Sequence, residues 1–354
     1  MRHLALVAAL VFLAGASAVL AEARPKDFPA PGIGLGLFAS DPNWDYDVLL
    51  EEIDALEPEA GVFVVVPWYQ KDKHATEIGP LAGRSPSLEA VDRTLAQLRD
   101  RSLRATVMPI VLLEEQASPK DWRGKIDPRV GEARALDEWW ASYEAYILAM
   151  ADSAAKNGAW RLVVGSELLS MESETERWRA LIRKVRARFR GELLYSANWD
   201  HYEAVGFWDD LDGIGVNGYF RLAPDGARPT EDELVRAWTR PLQRLADLRD
   251  AVGLPVVITE IGYSSRTTSA AKPWCLCAGE EMDQQLQARL YRALLRVFID
   301  GELKKKGMAP LPFESWYLWN WFGVGGPGDG GYTPRGKPAE ADLKRWLDRP
   351  WTEY

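Results

Sequence analysis

Eight short apolar runs recur along this chain, each opening into a loop that bears Gly, Pro or Trp and then into a helical pattern. They occupy residues 32–39, 61–67, 104–111, 160–165, 192–197, 211–219, 255–260 and 313–320. Runs of this length bounded by turn residues are read as strands. Between them the apolar period becomes helical. Trp140, Tyr143, Ile147, Ala151 and Ala154 line one face of a long helix ending before Gly158. Trp178, Leu181 or Ile182, Val185 and Phe189 line the next, and Leu286, Leu290, Ala293, Leu294 and Val297 a late one. Strand and helix alternating eight times over roughly 320 residues predict a single-domain α/β protein, a closed (β/α)8 TIM barrel. An open doubly wound sheet is the runner-up. It is disfavoured because Gly32, Gly34 and Gly36 alternate along the first strand instead of forming Gly-x-Gly-x-x-Gly.

The residues ahead of the first strand carry a different signal. Arg2 and His3 precede an apolar run over 4–14, followed by Gly15-Ala16-Ser17-Ala18 and again by Ala21. This pattern predicts a secretory signal over 1–21, cleaved somewhere within 18–23, and a barrel domain over 24–354 that is secreted or periplasmic. The run is too short to span a bilayer comfortably, and no later apolar twenty-mer follows, so no stable membrane insertion is expected after cleavage. Lys and Arg total 43 against 52 Asp and Glu, a formal charge of −9. With no basic stripe, nucleic acid is not an expected partner. Cys275 and Cys277 stand one residue apart, which leaves two thiols or a local loop staple. With only three His, one of them in the signal, no metal cluster and no cofactor are expected. Nothing in the sequence sets an oligomeric state.

In a barrel, residues at the C-terminal ends of the strands face a common pocket. Glu167 follows the fourth apolar run and Glu260 ends the seventh, places where an uncompensated charge is costly. Either alone could cap a helix or pair with an Arg. Together, three strands apart around an eight-stranded ring, they can point across the same mouth. Hydrolysis of an acetal needs two such carboxyls, one protonating the leaving oxygen while the other attacks the sugar carbon or activates water. Aromatic residues supply the second signal, since the chain holds 16 Trp, 12 Tyr and 10 Phe. Trp68-Tyr69-Gln70, Asn198-Trp199-Asp200-His201-Tyr202 and Asn217-Gly218-Tyr219-Phe220 stand at strand ends, and Trp316, Trp319, Asn320 and Trp321 cluster around the eighth. Flat apolar rings beside amides and carboxylates suit sugar rings. Trp68, Tyr69, Gln70, Asn198, Trp199, His201, Asn217, Tyr219, Trp319 and Asn320 are therefore the candidate substrate contacts. The Trp139-Trp140 pair lies mid-helix and is assigned to packing, and Trp316 and Tyr317 must face opposite ways on a strand.

The chain resembles the retaining glycoside hydrolases of the large (β/α)8 clan, and most nearly glycoside hydrolase family 113, the β-mannanases. The resemblance runs through Trp68-Tyr69-Gln70, Trp122-Arg123-Gly124-Lys125-Ile126, Gly165-Ser166-Glu167-Leu168 and Tyr195-Ser196-Ala197-Asn198-Trp199-Asp200. It continues through Phe207-Trp208-Asp209, Asp212-Gly213-Ile214-Gly215-Val216-Asn217-Gly218-Tyr219-Phe220, Thr259-Glu260-Ile261-Gly262-Tyr263 and Gly336-Lys337-Pro338-Ala339-Glu340. It implies Glu167 as general acid/base and Glu260 as nucleophile, with Tyr219 holding Glu260 and Trp319 flooring the subsite of the reacting sugar. Asn198 and Asn217 are implied partners of hydroxyls or of Glu167. Two positions depart from the pattern. Many clan members carry Asn, contacting the sugar 2-hydroxyl, where this chain has Ser166, and Asn217 stands where related chains often have Asp. The expected activity is hydrolysis of a β-linked hexose poly- or oligosaccharide, mannan-like first. A catalytically inactive sugar-binding barrel is one alternative. The other is an exo-acting or transglycosylating enzyme working on a bacterial envelope or exported polysaccharide.

Overall fold

The apolar runs pair as eight parallel strands in sequence order, and the last closes on the first. A computed structural model describes residues 29–38, 46–130, 133–276, 279–307 and 310–347. The expected export signal over 1–21 and Cys277 lie outside the described residues. The strands are β1 (Ala30–Gly36), β2 (Gly61–Gln70), β3 (Ala105–Leu113), β4 (Arg161–Ser166), β5 (Glu192–Ala197), β6 (Gly213–Asn217), β7 (Val256–Ile261) and β8 (Phe313–Leu318). Around them run α1 (Tyr46–Asp54), α2 (Leu88–Asp100), α3 (Ala135–Lys156), α4 (Thr175–Arg188), α5 (Glu231–Ala237), α6 (Thr239–Val252), α7 (Gln284–Phe298), α8 (Glu302–Lys305) and α9 (Pro338–Leu347). The fold is the (β/α)8 barrel that the alternation predicts.

Period-two alternation along the strands separates two cores. Val62, Val64 and Val66 of β2 face the helices, in one large cluster with Leu49, Leu50 and Ile53 of α1. Phe63 and Val65 face the barrel interior and meet Met108, Ile110, Val163, Leu194, Val257 and Tyr317. Tyr317 spans this interior, donating its hydroxyl to the Ala60 carbonyl at 3.0 Å. Of the three alternating glycines of β1, Gly32 makes room for it, while Gly34 and Gly36 admit Trp319 and Phe38. A Cβ on Gly32 would lie 2.4 Å from the Tyr317 ring, and one on Gly36 would lie 2.4 Å from Phe38. Trp316, one residue away on β8, faces the helices and packs against Phe298 at 5.7 Å.

The aromatic helix face is structural. Trp139 stacks on Tyr143 at 4.8 Å, and Trp140 meets Trp178 of α4 edge-on at 5.0 Å. Buried rings of this size remove on the order of 150–250 Å² each from water, so this seam fastens α3 and α4 to the barrel. At the opposite, N-terminal end, buried Arg161 is neutralised by Glu192 at 2.6 Å and by Glu314, a place where charge serves stability. Cys275 is disulfide-bonded. Among the described residues no helix is long and apolar enough to cross a membrane, and no group of three His, Cys, Asp or Glu could hold a metal ion.

Candidate active site

At the C-terminal mouth of the barrel, two strands lose their regular register just where they deliver a carboxylate. The β4–β5 pairing shifts between Val163 and Ser166, and Glu167 follows with a left-handed φ of 51°. A non-glycine residue there is strained by about 1 kcal/mol and persists only when its surroundings hold it. Two amides do so: the Glu167 N–H donates to the Ser196 carbonyl at 2.9 Å, and the Leu168 N–H donates to the Tyr195 hydroxyl at 3.0 Å. In β7, strict alternation would send Glu260 outward with Ile258. The β7–β8 pairing shifts between Ile258 and Ile261, which turns Ile261 to the helices and Glu260 to the pocket.

Both carboxylates are buried, Glu167 at 6% and Glu260 at 5% exposure. Glu167 Oε1 accepts from the Asn217 amide at 2.9 Å, and its Oε2 forms an ion pair with Arg123 at 2.6 Å. Asn217 is oriented by its other end, because Ser196 Oγ and Thr259 Oγ1 both donate to its Oδ1 at 2.8 Å. Only the NH2 group is left to face Glu167. Glu260 Oε2 accepts from the Tyr219 hydroxyl at 2.8 Å. Burial is the largest influence on Glu260 and pushes its carboxyl up; Arg123 opposes that, the neighbouring charge of Glu167 reinforces it, and the Tyr219 bond opposes it. The outcome is a carboxyl raised from 4.5 to about 7. Arg123 feels the charge of both glutamates. Two carboxyls in mutual electrostatic contact, each with a dedicated donor, are what acid-assisted displacement at an acetal carbon requires.

The family model described as Glycoside Hydrolase Family 113 matches residues 34–322. The chain belongs to glycoside hydrolase family 113. Solved family 113 structures share its fold. A β-1,4-mannanase aligns with a TM-score of 0.75 at 22% identity, over 92% of this chain and 100% of its own. The β-mannanase AaManA from Alicyclobacillus acidocaldarius, in complex with ManMIm, aligns at 0.74 and 22% identity, over 89% and 96%. The endo-β-1,4-mannanase from Thermotoga petrophila is more distant, at 0.56 and 10% identity over 93% and 78%. A search of curated proteins found no match.

In this family 113 barrel the expected substrate contacts divide. Asn217 and Tyr219 bond the two carboxylates directly, as described above. Trp319 packs on the inner core at the mouth and meets Phe322 edge-on at 5.2 Å; the peptide that follows it, Trp319–Asn320, is cis. Trp199 lies half-buried on the loop after β5, stacked on exposed Trp274 at 5.1 Å. Tyr69 shares the inward parity of Phe63 and Val65 and borders a cavity of about 360 Å³ with Ile78, Glu114 and Ser142. Asn198 is buried and turns its amide to Asp200 at 2.7 Å.

Two expectations, Trp68 and Gln70, are corrected, and His201 and Asn320 each have one polar atom engaged within the protein. Trp68 and Gln70 share the parity of Val62, Val64 and Val66, so they point to the helix layer and away from the sugar groove. Trp68 stacks on Tyr146 of α3 at 4.4 Å, and Gln70 Oε1 accepts from the Trp139 indole at 3.0 Å. His201 is engaged through Nδ1 with buried Glu172 at 2.5 Å. Asn320 Oδ1 closes a local turn by accepting from the Phe322 N–H at 3.4 Å. Three participants lay outside the expected list: Arg123, Glu172 and Tyr195. Arg123 stood within a string that carried the family resemblance, and that was its one sequence signal.

Proposed function

We propose that this glycoside hydrolase cleaves β-linked mannan-like polysaccharide with retention of configuration, Glu260 acting as nucleophile and Glu167 as general acid/base. The observation that carries this reading is the pair of buried carboxylates in one pocket, Glu260 held by Tyr219 and Glu167 by Asn217 and Arg123. Glu260 attacks the anomeric carbon. Its bond to that carbon forms as the glycosidic C–O bond breaks, and the leaving oxygen takes the proton of Glu167. Glu167, now ionised, removes a proton from water; the water oxygen attacks the same carbon and Glu260 departs as carboxylate. Two inversions give net retention.

The first step requires Glu260 in its ionised form. Burial works against it, and Arg123 and Tyr219 work for it, since both pull Glu260 down. Mannan as substrate is supported by the β-mannanase descriptions of the solved family 113 structures. Ser166 stands before Glu167, and its Oγ is buried without a hydrogen-bond partner among the described residues. Export is proposed on the signal-like residues 1–21.

A panel of β-linked polysaccharides tests the activity, with Glu260→Gln as control. Release of reducing ends from mannan by the wild type and none by the variant supports the reading. Binding of polysaccharide without cleavage by both proteins refutes it and leaves a sugar-binding barrel.

A further inference from the structure

We infer that Glu172 is a positioning residue for the general acid, acting with His201 through Tyr195 on the backbone that carries Glu167; this rests on the role proposed for Glu167. Glu172 is 2% exposed. A carboxyl buried to this degree is costly unless its oxygens are bonded. Its Oε1 accepts from the Tyr195 hydroxyl at 2.8 Å and its Oε2 meets His201 Nδ1 at 2.5 Å. Burial, the largest influence, and the charge of Glu167 both push its carboxyl up, while Tyr195 and His201 pull it down.

The bonds are directional. The Tyr195 hydroxyl has one proton, spent on Glu172, which leaves its lone pairs toward the Leu168 N–H at 3.0 Å. Packing alone does not require that hydroxyl, since the ring already sits against Trp178 and Phe207 at 5.2 Å each. The amide it accepts from follows Glu167, the residue in left-handed backbone. Successive amides at 167 and 168 are thus held from β5, one by a strand carbonyl and one by a phenol that Glu172 aims. Arg129 steadies the same turn from outside, donating to the Ser170 carbonyl at 2.7 Å. His201, with 39% of its side chain exposed, is where the chain of bonds meets solvent.

Misplacing a general acid has a signature that general damage lacks. A leaving group that departs without a proton does not need the acid, and a small anion that attacks without deprotonation does not need the base. The full-length Glu172→Gln and Tyr195→Phe variants are assayed on mannan oligosaccharide and on 2,4-dinitrophenyl β-mannoside, the latter with and without azide. We expect kcat on the oligosaccharide to fall about ten- to a hundredfold, part of what general acid–base catalysis supplies, with KM held within about twofold. We also expect kcat/KM on the dinitrophenyl glycoside near wild type, and a turnover on it that azide raises. Equal losses on both substrates, or no loss on the oligosaccharide, would overturn the inference. Should wild type cleave neither substrate, or Glu167→Ala lose both equally without azide rescue, the proposed role of Glu167 fails instead. Tyr195→Phe keeps the ring, so it decides the matter if Glu172→Gln does not fold.

Discussion

Replacing Tyr219 by Phe removes one hydroxyl from the pocket and leaves the ring against Tyr332, 6.1 Å away. That hydroxyl donates to Glu260 Oε2 at 2.8 Å and is one of two influences that lower the Glu260 carboxyl. A hydrogen bond to a charged acceptor is worth about 1.5–3 kcal/mol. At 1.36 kcal/mol per unit, the loss corresponds to roughly one to two pKa units. The sign is fixed: the donor favours the ionised carboxylate, so its removal raises the pKa. As the proposed nucleophile Glu260 must be ionised, so the acid limb of kcat/KM, which reports the free enzyme, should move from near pH 7 to higher pH by about one to two units. Below the wild-type midpoint the variant should lose about ten- to a hundredfold in kcat/KM, and well above both midpoints the curves should converge. The assay is kcat/KM on a soluble mannoside over roughly pH 5 to 10, with wild type and variant side by side. An acid limb at the same pH in both would refute the assignment of that bond to the ionised nucleophile.

Arg123→Met removes the other influence that lowers Glu260, so its acid limb should also shift upward, with the deficit in kcat/KM larger at pH 6 than at pH 8; a pH-independent deficit would contradict this. Glu260→Gln should stabilise the fold at alkaline pH. The folded carboxyl is raised to about 7 from 4.5 in its ordinary state, so wild type loses stability as pH rises between those values, by about 3 kcal/mol. Thermal melts should show the variant ahead at pH 8 and level with wild type below about pH 4, and equal shifts at both would argue against a buried titrating Glu260. Gly32→Ala should lower stability by about 1–3 kcal/mol, because its Cβ would sit 2.4 Å from the Tyr317 ring in a filled interior; an unchanged denaturation midpoint would show that Tyr317 can retreat.

The barrel was legible because strand and helix periods differ and alternate, and the two carboxylates because they close apolar runs. Asn217 and Tyr219 followed from their place at the end of β6. Parity decided the remaining contacts. Trp316 and Tyr317 obey it on β8, and counting two residues at a time from Val62 sends Trp68 and Gln70 to the helices. The same counting would have sent Glu260 outward, since the shift of register that brings it in leaves no periodic mark. Arg123 and Glu172 lie on loops after β3 and β4, where no period operates and only the folded backbone brings them to Glu167 and Tyr195. In the sequence the alternating glycines of β1 say only that Gly-x-Gly-x-x-Gly is not formed there. Their positive role, room for Tyr317 and its neighbours, exists only once the barrel is closed.

The bond proposed between Glu260 and the anomeric carbon, with Glu167 handling protons, can be trapped directly. A 2-deoxy-2-fluoro-mannosyl donor with an activated leaving group slows the second step and accumulates the intermediate. Peptide mapping by mass spectrometry of the trapped enzyme should find one fluorosugar, on the peptide containing Glu260 and localised to that side chain. Label on Glu167, or a turning-over enzyme that never carries label, would contradict the account.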